Sequence, residues 1–159
     1  MQKSALKLDK KTAALRAEHW CAYQERSQQE VRDKLYEWGL VPDDVETLLA
    51  ELISGNFLNE ERFALSYAGG KFRIKRWGKI KIKQALKLKR VPDKLIEKAL
   101  AQIPADAYWQ CLEDLAHKKT GEIHDADAFK RRAKLINYLR AKGFENDLIF
   151  DVLKANNLY

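Results

Sequence analysis

A repeat of about 50 residues is the feature that most limits how this chain can fold. Three pairs of aliphatic residues recur along the sequence: Val31 and Leu35, Ile82 and Leu86, Leu135 and Leu139. After a short link, each is followed by a second apolar pair: Val45 and Leu49, Leu95 and Ala99, Leu148 and Val152. The first two copies are offset by 51 residues and then by 50, and 53 residues separate the second copy from the third. Such a period indicates units that each bury an apolar face partly against a neighbour.

Helices are the predicted content of every repeat. Only three prolines and seven glycines interrupt the 159 residues, and the apolar positions lie three and four residues apart. A further helix is predicted ahead of each pattern, over residues 13–24, 60–75 and 105–118. We therefore predict an all-α protein of three tandem three-helix repeats that form an elongated, curved array. The predicted domains are residues 1–56, 57–104 and 105–159.

Local signals mark several helix ends in the first repeat. Ser27 and Glu30 have the spacing of a capping box, in which each side chain accepts a hydrogen bond from the backbone of the other residue. Gly39 is placed to end that helix in the left-handed conformation. Pro42 suits the first turn of the next helix, where its missing N–H costs nothing. Asn59 is a suitable N-cap for the helix that follows.

Positive charge is concentrated in one segment. The net charge of +7 comes from 30 basic and 23 acidic residues. Residues 71–90, called the basic segment below, contain ten of the basic residues and no acidic one, so the remainder has 20 basic against 23 acidic residues, a net of −3. The sequence thus predicts a chain that is basic in one place only. The ten residues are Lys71, Arg73, Lys75, Arg76, Lys79, Lys81, Lys83, Lys87, Lys89 and Arg90.

The basic segment has two interpretations. Ten uncompensated charges in twenty residues repel one another unless an anion approaches, which favours a surface for phosphates or for an acidic protein. Alternatively, the segment is a solvated helical face whose apolar residues point into the core. Trp77 is either a buried staple between helices or a platform on which a base stacks. The candidate binding residues are Lys71, Arg73, Lys75, Arg76, Trp77, Lys79, Lys81, Lys83, Lys87 and Arg90.

Several classes of protein are disfavoured. Cys21 and Cys111 lie 90 residues apart without metal-ligand spacing, so we expect reduced thiols and no metal or other cofactor. No nucleophile–base pair or phosphate-binding loop is visible, which predicts a protein that is not an enzyme and has no catalytic residue. No apolar run approaches the roughly 20 residues of a membrane span, and the first residues lack the apolar core of a signal peptide. We expect a cytoplasmic protein.

Three stretches of the sequence resemble the RecX family. Residues 55–64 match the family's junction between its first and second repeats, which contains Gly, Leu, acidic residues and then Arg-Phe-Ala. Residues 78–86 resemble the Gly-x-x-x-Ile-x-x-x-Leu opening of the middle repeat, and residues 24–35 resemble the first repeat. The similarity is weak from Ala105 onward. Lys79 stands where the family often has Pro, Arg90 replaces a turn glycine, and Gly69 and Gly70 interrupt a predicted helix.

The resemblance implies a function and a partner. RecX proteins bind in the groove of the filament that the recombinase RecA forms on single-stranded DNA, and they mostly inhibit its ATPase and recombinase activities in DNA repair and the SOS response. We therefore expect a monomer that binds the RecA nucleoprotein filament, with DNA contacts through phosphates. The alternative is an independent nucleic-acid-binding helical module without sequence preference, because the charge is mostly Lys.

Overall fold

The computed structural model describes residues 7–159, and this range contains nine α-helices and no strand. The predicted all-α class is confirmed. The first helix begins three residues before the predicted start because Asp9 caps it, and the seventh extends beyond residue 118. The helices are α1 Lys10–Tyr23, α2 Gln28–Glu37, α3 Pro42–Ser54, α4 Glu60–Lys75, α5 Lys79–Leu88, α6 Asp93–Ala101, α7 Ala105–Glu122, α8 Ala128–Ala141 and α9 Asn146–Ala155.

The predicted helix caps are present in the first unit, α1–α3. The Glu30 N–H donates to Ser27 Oγ at 3.1 Å, and the Ser27 N–H donates to Glu30 Oε2 at 3.2 Å, which completes the capping box. Gly39 adopts a φ of 87°, in the left-handed region. Pro42 opens α3, and Asn59 accepts a hydrogen bond from the Arg62 N–H at 2.9 Å as the N-cap of α4.

The units repeat in a more regular register than the predicted one. Val45, Ile96 and Ile149 are all fully buried, whereas Leu95 and Leu148 are only half-buried. The predicted equivalence of Val45 with Leu95 and Leu148 is therefore wrong by one residue, and the offset between the first two units stays at 51. The reason is that the link carries no insertion. In each unit a single residue, the N-cap, directly precedes the last helix, and Val41 fills this position in the first unit as Pro92 and Glu145 do in the others.

A left-handed residue makes the same turn in all three links. Gly39 and Gly143 have φ values of 87° and 99°, and Arg90 adopts 59° at the equivalent position. A residue with a Cβ in this conformation costs about 1 kcal/mol. The second unit therefore keeps the turn of its neighbours at that cost, although Arg90 replaces the glycine.

Burial of the apolar residues divides the molecule into two cores. The first unit encloses one cluster, which includes Val31, Leu35 and Leu48. The second unit, α4–α6, and the third, α7–α9, share a single larger cluster that runs from Phe63 to Leu153. The expectation that every unit buries its apolar face against its neighbour holds only between the second and third units. The accessible surface of 10044 Å² exceeds the roughly 8,200 Å² of a compact monomer of this size, which supports an elongated shape.

Backbone contacts join the second unit to the third. The Gly78 N–H donates to the Lys142 carbonyl at 2.8 Å, and the Ile80 N–H donates to the Gly143 carbonyl at 3.0 Å. A Cβ on Gly78 would overlap the carbonyl carbon of Gly143, and a Cβ on Gly143 would overlap the Cβ of Lys81. Glycine at both positions allows the start of α5 and the turn after α8 to touch directly. These contacts hold the start of α5, in the middle of the basic segment, against the third unit.

Side chains join the first unit to the second. Arg62 Nε lies 2.5 Å from Glu25 Oε1, and Lys89 Nζ lies 2.5 Å from Glu30 Oε1. Arg62 also donates to the carbonyls of Asn56 and Phe57, so it ties the start of α4 to the link that connects the two units. Polar contacts therefore hold this junction, in contrast to the shared core on the other side of the second unit.

Candidate functional site

The basic segment occupies the end of α4, the link at residues 76–78, α5 and the turn that follows it. Within α4, Phe72 points into the shared core, which leaves Arg73 and Lys75 on the solvent side. Arg76 ends α4 with a φ of 55°, so the chain reverses before Gly78 opens α5. Because Ile82 and Leu86 form the buried stripe of α5, Lys83 and Lys87 also face solvent.

Most of the charges in the basic segment have no acidic partner. Within residues 7–159, Lys87 lies 3.7 Å from Asp93 and Lys89 pairs with Glu30. No carboxylate of the described chain lies within 4.0 Å of the other eight basic side chains. Six of the ten candidate binding residues are exposed, namely Arg73, Lys75, Arg76, Lys83, Lys87 and Arg90, and the other four are half-buried: Lys71, Trp77, Lys79 and Lys81.

Trp77 is half-buried and packs against the shared core. The ammonium groups of Lys71 and Lys81 lie 4.8 and 4.6 Å from the centre of its ring. Such cation–π contacts hold the two lysines close to the indole. This is the packing of a staple between helices, and the stacking of a base on the exposed part of the ring stays a prediction.

Lys142 of the third unit lies beside the basic segment, although it is not among the candidate binding residues predicted from the sequence. Its Nζ donates to the Lys75 carbonyl at 2.8 Å. Burial lowers the pKa of Lys142, and the nearby positive charges of Lys81, Arg76 and Lys75 lower it further. The basic side chains of the basic segment, together with Ile74 and Lys142, are called the basic surface below. It therefore spans the junction between the second and third units.

The sequence does contain a signal for this contribution. Residues 128–144 have six basic residues and no acidic one, so the prediction that the chain is basic in one place only is wrong. The acidic residues that balance this second segment lie elsewhere in the third unit. The net charge of the chain outside the basic segment therefore did not reveal it. The six residues are Lys130, Arg131, Arg132, Lys134, Arg140 and Lys142.

Gly69 and Gly70 lie inside a continuous α4. A Cβ on Gly70 would meet no atom within 4 Å, so packing within the described chain does not require a glycine there. Gly70 instead lines a groove of about 220 Å³ between the first and second units, next to Tyr67, Lys71 and Ile74. The Ile74 side chain is 79% exposed, which makes it an apolar group within the basic surface.

A buried polar pair beside the basic segment has a structural explanation. The Tyr108 hydroxyl donates to Glu145 Oε1 at 2.5 Å and accepts the Lys79 N–H at 3.0 Å. Burial raises the pKa of Tyr108, and the hydrogen bond to Glu145 raises it further. The pair thus joins α7 to the N-cap of α9 and the start of α5. Over residues 7–159 no cluster of metal-ligating side chains is found.

Comparison with known families shows what kind of protein has this arrangement. Three family models match in chain order: "RecX, first three-helix domain" at residues 13–52, the second domain at residues 59–100 and the third at residues 106–153. The chain belongs to the RecX family. The third match covers the region in which the resemblance of the sequence was weak.

Two relatives with the name "Regulatory protein RecX" illustrate the similarity. The protein of Prosthecochloris aestuarii is 32% identical over 145 residues, which are 91% of this chain and 93% of that protein. The protein of Clostridium perfringens is 30% identical over 138 residues, which are 84% of this chain but 64% of that protein. RecX proteins therefore differ in length, and this chain matches only part of the longer ones.

Solved RecX structures have the same fold. The crystal structure of RecX from Lactobacillus salivarius aligns with a TM-score of 0.85, at 24% identity, over 94% of this chain and 97% of that chain. A second structure, of a regulatory protein RecX, aligns with a TM-score of 0.81, at 24% identity, over 89% and 71% of the two chains. Among the helices that the structure describes, none is both long and apolar enough to cross a membrane.

Proposed function

We propose that this RecX-family protein regulates a RecA recombinase by binding the filament that RecA forms on single-stranded DNA, mainly with inhibition of its ATPase and strand exchange. It acts in the cytoplasm as a monomer, in DNA repair and SOS regulation, and it binds rather than catalyses. The observation that carries the proposal is the basic surface, because eight charges of the basic segment lack an acidic partner among residues 7–159.

The basic surface suits a filament because it offers two kinds of contact. Exposed cations such as Arg73, Lys75 and Arg76 attract phosphates or acidic side chains without reading a base sequence. Ile74, which is 79% exposed among them, offers an apolar contact that a protein partner would cover. Because Gly70 has no side chain, the groove between the first and second units has space for a side chain or the backbone of a partner.

The second candidate function is binding to nucleic acid alone, without sequence preference. Seven of the ten basic residues in the segment are Lys, which suits contact with phosphates better than bidentate contact with base edges. The exposed Ile74 favours the filament instead, since phosphates offer it nothing to pack against. Ile74→Ala separates the two, because it weakens binding to the filament and leaves binding to naked DNA unchanged.

The decisive experiment combines inhibition and binding. The protein is expected to inhibit the DNA-dependent ATPase of its cognate RecA at near-stoichiometric amounts and to co-sediment with RecA filaments. Reversing Arg73, Lys75, Arg76 and Lys79 to Glu changes the net charge by eight and should abolish both effects. The matched control reverses four basic residues outside the basic surface to Glu: Lys10, Lys11, Arg16 and Lys94. Circular dichroism checks that both variants keep their helical content.

A salt series distinguishes the contacts that the basic surface makes. Phosphate contacts with a single strand lower the logarithm of the binding constant by about 0.7 per contact for each unit of log salt. Contacts with acidic RecA side chains give a shallower slope and little affinity for naked DNA. A folded quadruple variant that still inhibits would show that the basic surface is only solvated. An unchanged ATPase with no co-sedimentation of the wild type would contradict regulation of RecA.

A further inference from the structure

A second groove, in the third unit, combines aromatic rings with unpaired cations. It lies between α8 and the end of α9 and has a volume of about 410 Å³. We call it the third-unit groove. Its lining contains two aromatic and two aliphatic residues, two cations, one amide and no acidic side chain: Arg132, Phe150, Leu153, Lys154, Asn157, Leu158 and Tyr159. Leu153 belongs to the shared core and Leu158 packs against it. The core includes none of the other five side chains, and the proposed contact through the basic surface does not use them.

Exposed aromatic rings continue from the groove along α8. Phe129 is 77% exposed, and Phe150 in the groove is 39% exposed. Phe129 precedes Arg132 by three residues, so the two side chains are neighbours on one side of the helix. The shared core includes neither Phe129 nor Phe150. Two large aromatic rings are therefore exposed beside positive charges, and packing in the core does not explain their presence.

Four cations near the groove, three on α8 and one on α9, fall into two groups. Arg131 donates to the Asp125 carbonyl at 2.7 Å, and Lys134 lies 3.1 Å from the Asp125 carboxylate, so both stabilise the link before the helix. Arg132 and Lys154 differ, since no carboxylate within the described range lies within 4.0 Å of either. The Arg132 guanidinium instead lies 5.6 Å from the centre of the Phe150 ring.

We propose that the third-unit groove binds single-stranded nucleic acid, with a base stacked on Phe150 or Phe129 and adjacent phosphates held by Arg132 and Lys154. Aromatic faces bind any base, and Lys and Arg bind the phosphates, so the site has no sequence preference. A duplex fits less well because its base faces are already stacked on one another. An acidic peptide would use the cations but would leave the rings exposed. The site gives the isolated chain an affinity for single strands that does not require RecA.

The test measures binding of the full chain to two labelled probes by fluorescence anisotropy. One is an oligothymidylate of about 15 nucleotides, near the upper range of single-strand site sizes. The other is an abasic strand of the same length, which keeps the phosphates but has no bases. The Phe129→Ala/Phe150→Ala variant should bind oligothymidylate about 5- to 100-fold more weakly and the abasic strand as well as the wild type does. The Arg132→Glu/Lys154→Glu variant should lose affinity for both.

Two variants of the first unit serve as matched controls. Tyr23→Ala removes an aromatic ring that is 85% exposed, and Lys10→Glu/Lys11→Glu makes the same change of charge as the cation variant. Both should bind like the wild type. Equal losses on the two probes from the aromatic variant would overturn stacking. Unchanged affinity in both groove variants, or no binding of the wild type at low salt, would overturn the site. A loss of filament binding alone would assign the groove to a protein.

Discussion

The two junctions of this three-unit chain are built in opposite ways. Between the second and third units, backbone touches backbone at Gly78 and Gly143, and one apolar cluster crosses the boundary. Between the first and second units, the contacts are ion pairs from Glu25 and Glu30 to basic residues of the next unit, and the apolar clusters are separate. A repeated sequence pattern therefore does not ensure a repeated interface.

The difference has a consequence for stability. A shared core couples the units that enclose it, because neither unit can unfold without exposing apolar surface of the other. Ion pairs at a half-exposed boundary couple units weakly, by about 1 kcal/mol or less each. We therefore expect the second and third units to unfold together and the first unit to unfold separately. The basic surface and the third-unit groove both lie on the coupled pair.

The largest expected effect comes from truncating one buried leucine in each unit. Leu35, Leu86 and Leu139 are all fully buried, so replacement by Ala should cost roughly 2–5 kcal/mol in each case. Leu35→Ala should lower the melting transition of the first unit only. Leu86→Ala and Leu139→Ala should each lower that of both other units. Hydrogen exchange during thermal or urea unfolding reports the units separately, and a single cooperative transition in all three variants would contradict the division.

Alanine substitutions at two glycines give the next test, because they should change the stability in opposite directions. Gly78 has a φ of −74°, which suits any residue, so Gly78→Ala is harmful only through the overlap with Gly143. It should cost about 1–3 kcal/mol and weaken the junction of the second and third units. Gly70→Ala fills open space inside a helix and should stabilise the protein by about 1 kcal/mol.

Urea unfolding measures both glycine variants against the wild type. The Gly70 variant also shows whether the open space in the groove between the first and second units matters for function, since its stability should rise while its binding to filaments falls. Equal stability of Gly78→Ala and the wild type would show that the two backbones can separate without loss.

The smallest expected effect is at the polar junction. Lys89→Met removes the ion pair with Glu30 but keeps most of the aliphatic side chain, and it should cost about 0.5 kcal/mol. The transition of the first unit should become less sensitive to salt, because screening weakens exposed ion pairs. Lys87→Met is the control, since Lys87 pairs with Asp93 inside the second unit. If both variants respond to salt alike, the ion pair does not join the units.

Features that depend on neighbours along the chain could be predicted from the sequence alone. The capping box of Ser27 and Glu30, the left-handed Gly39 and the helix from Glu60 to Lys75 were all predictable, since each depends on hydrogen bonds within one turn or link. The repeat of buried aliphatic residues was also readable, because helical periodicity shows which face is apolar. These local signals were sufficient for the fold class and for the location of the basic segment.

Which units share a core, and which residues complete the basic surface, became visible only in the folded structure. Lys142 lies 67 residues from Lys75, and no local pattern links the two. The opposed glycines Gly78 and Gly143 become a pair only when α5 meets the turn after α8. Arg62 was visible as part of a motif, but its role in joining two units depends on Glu25. Long-range packing determines all three, because a helix's sequence shows that it has an apolar face but not which neighbour will cover it.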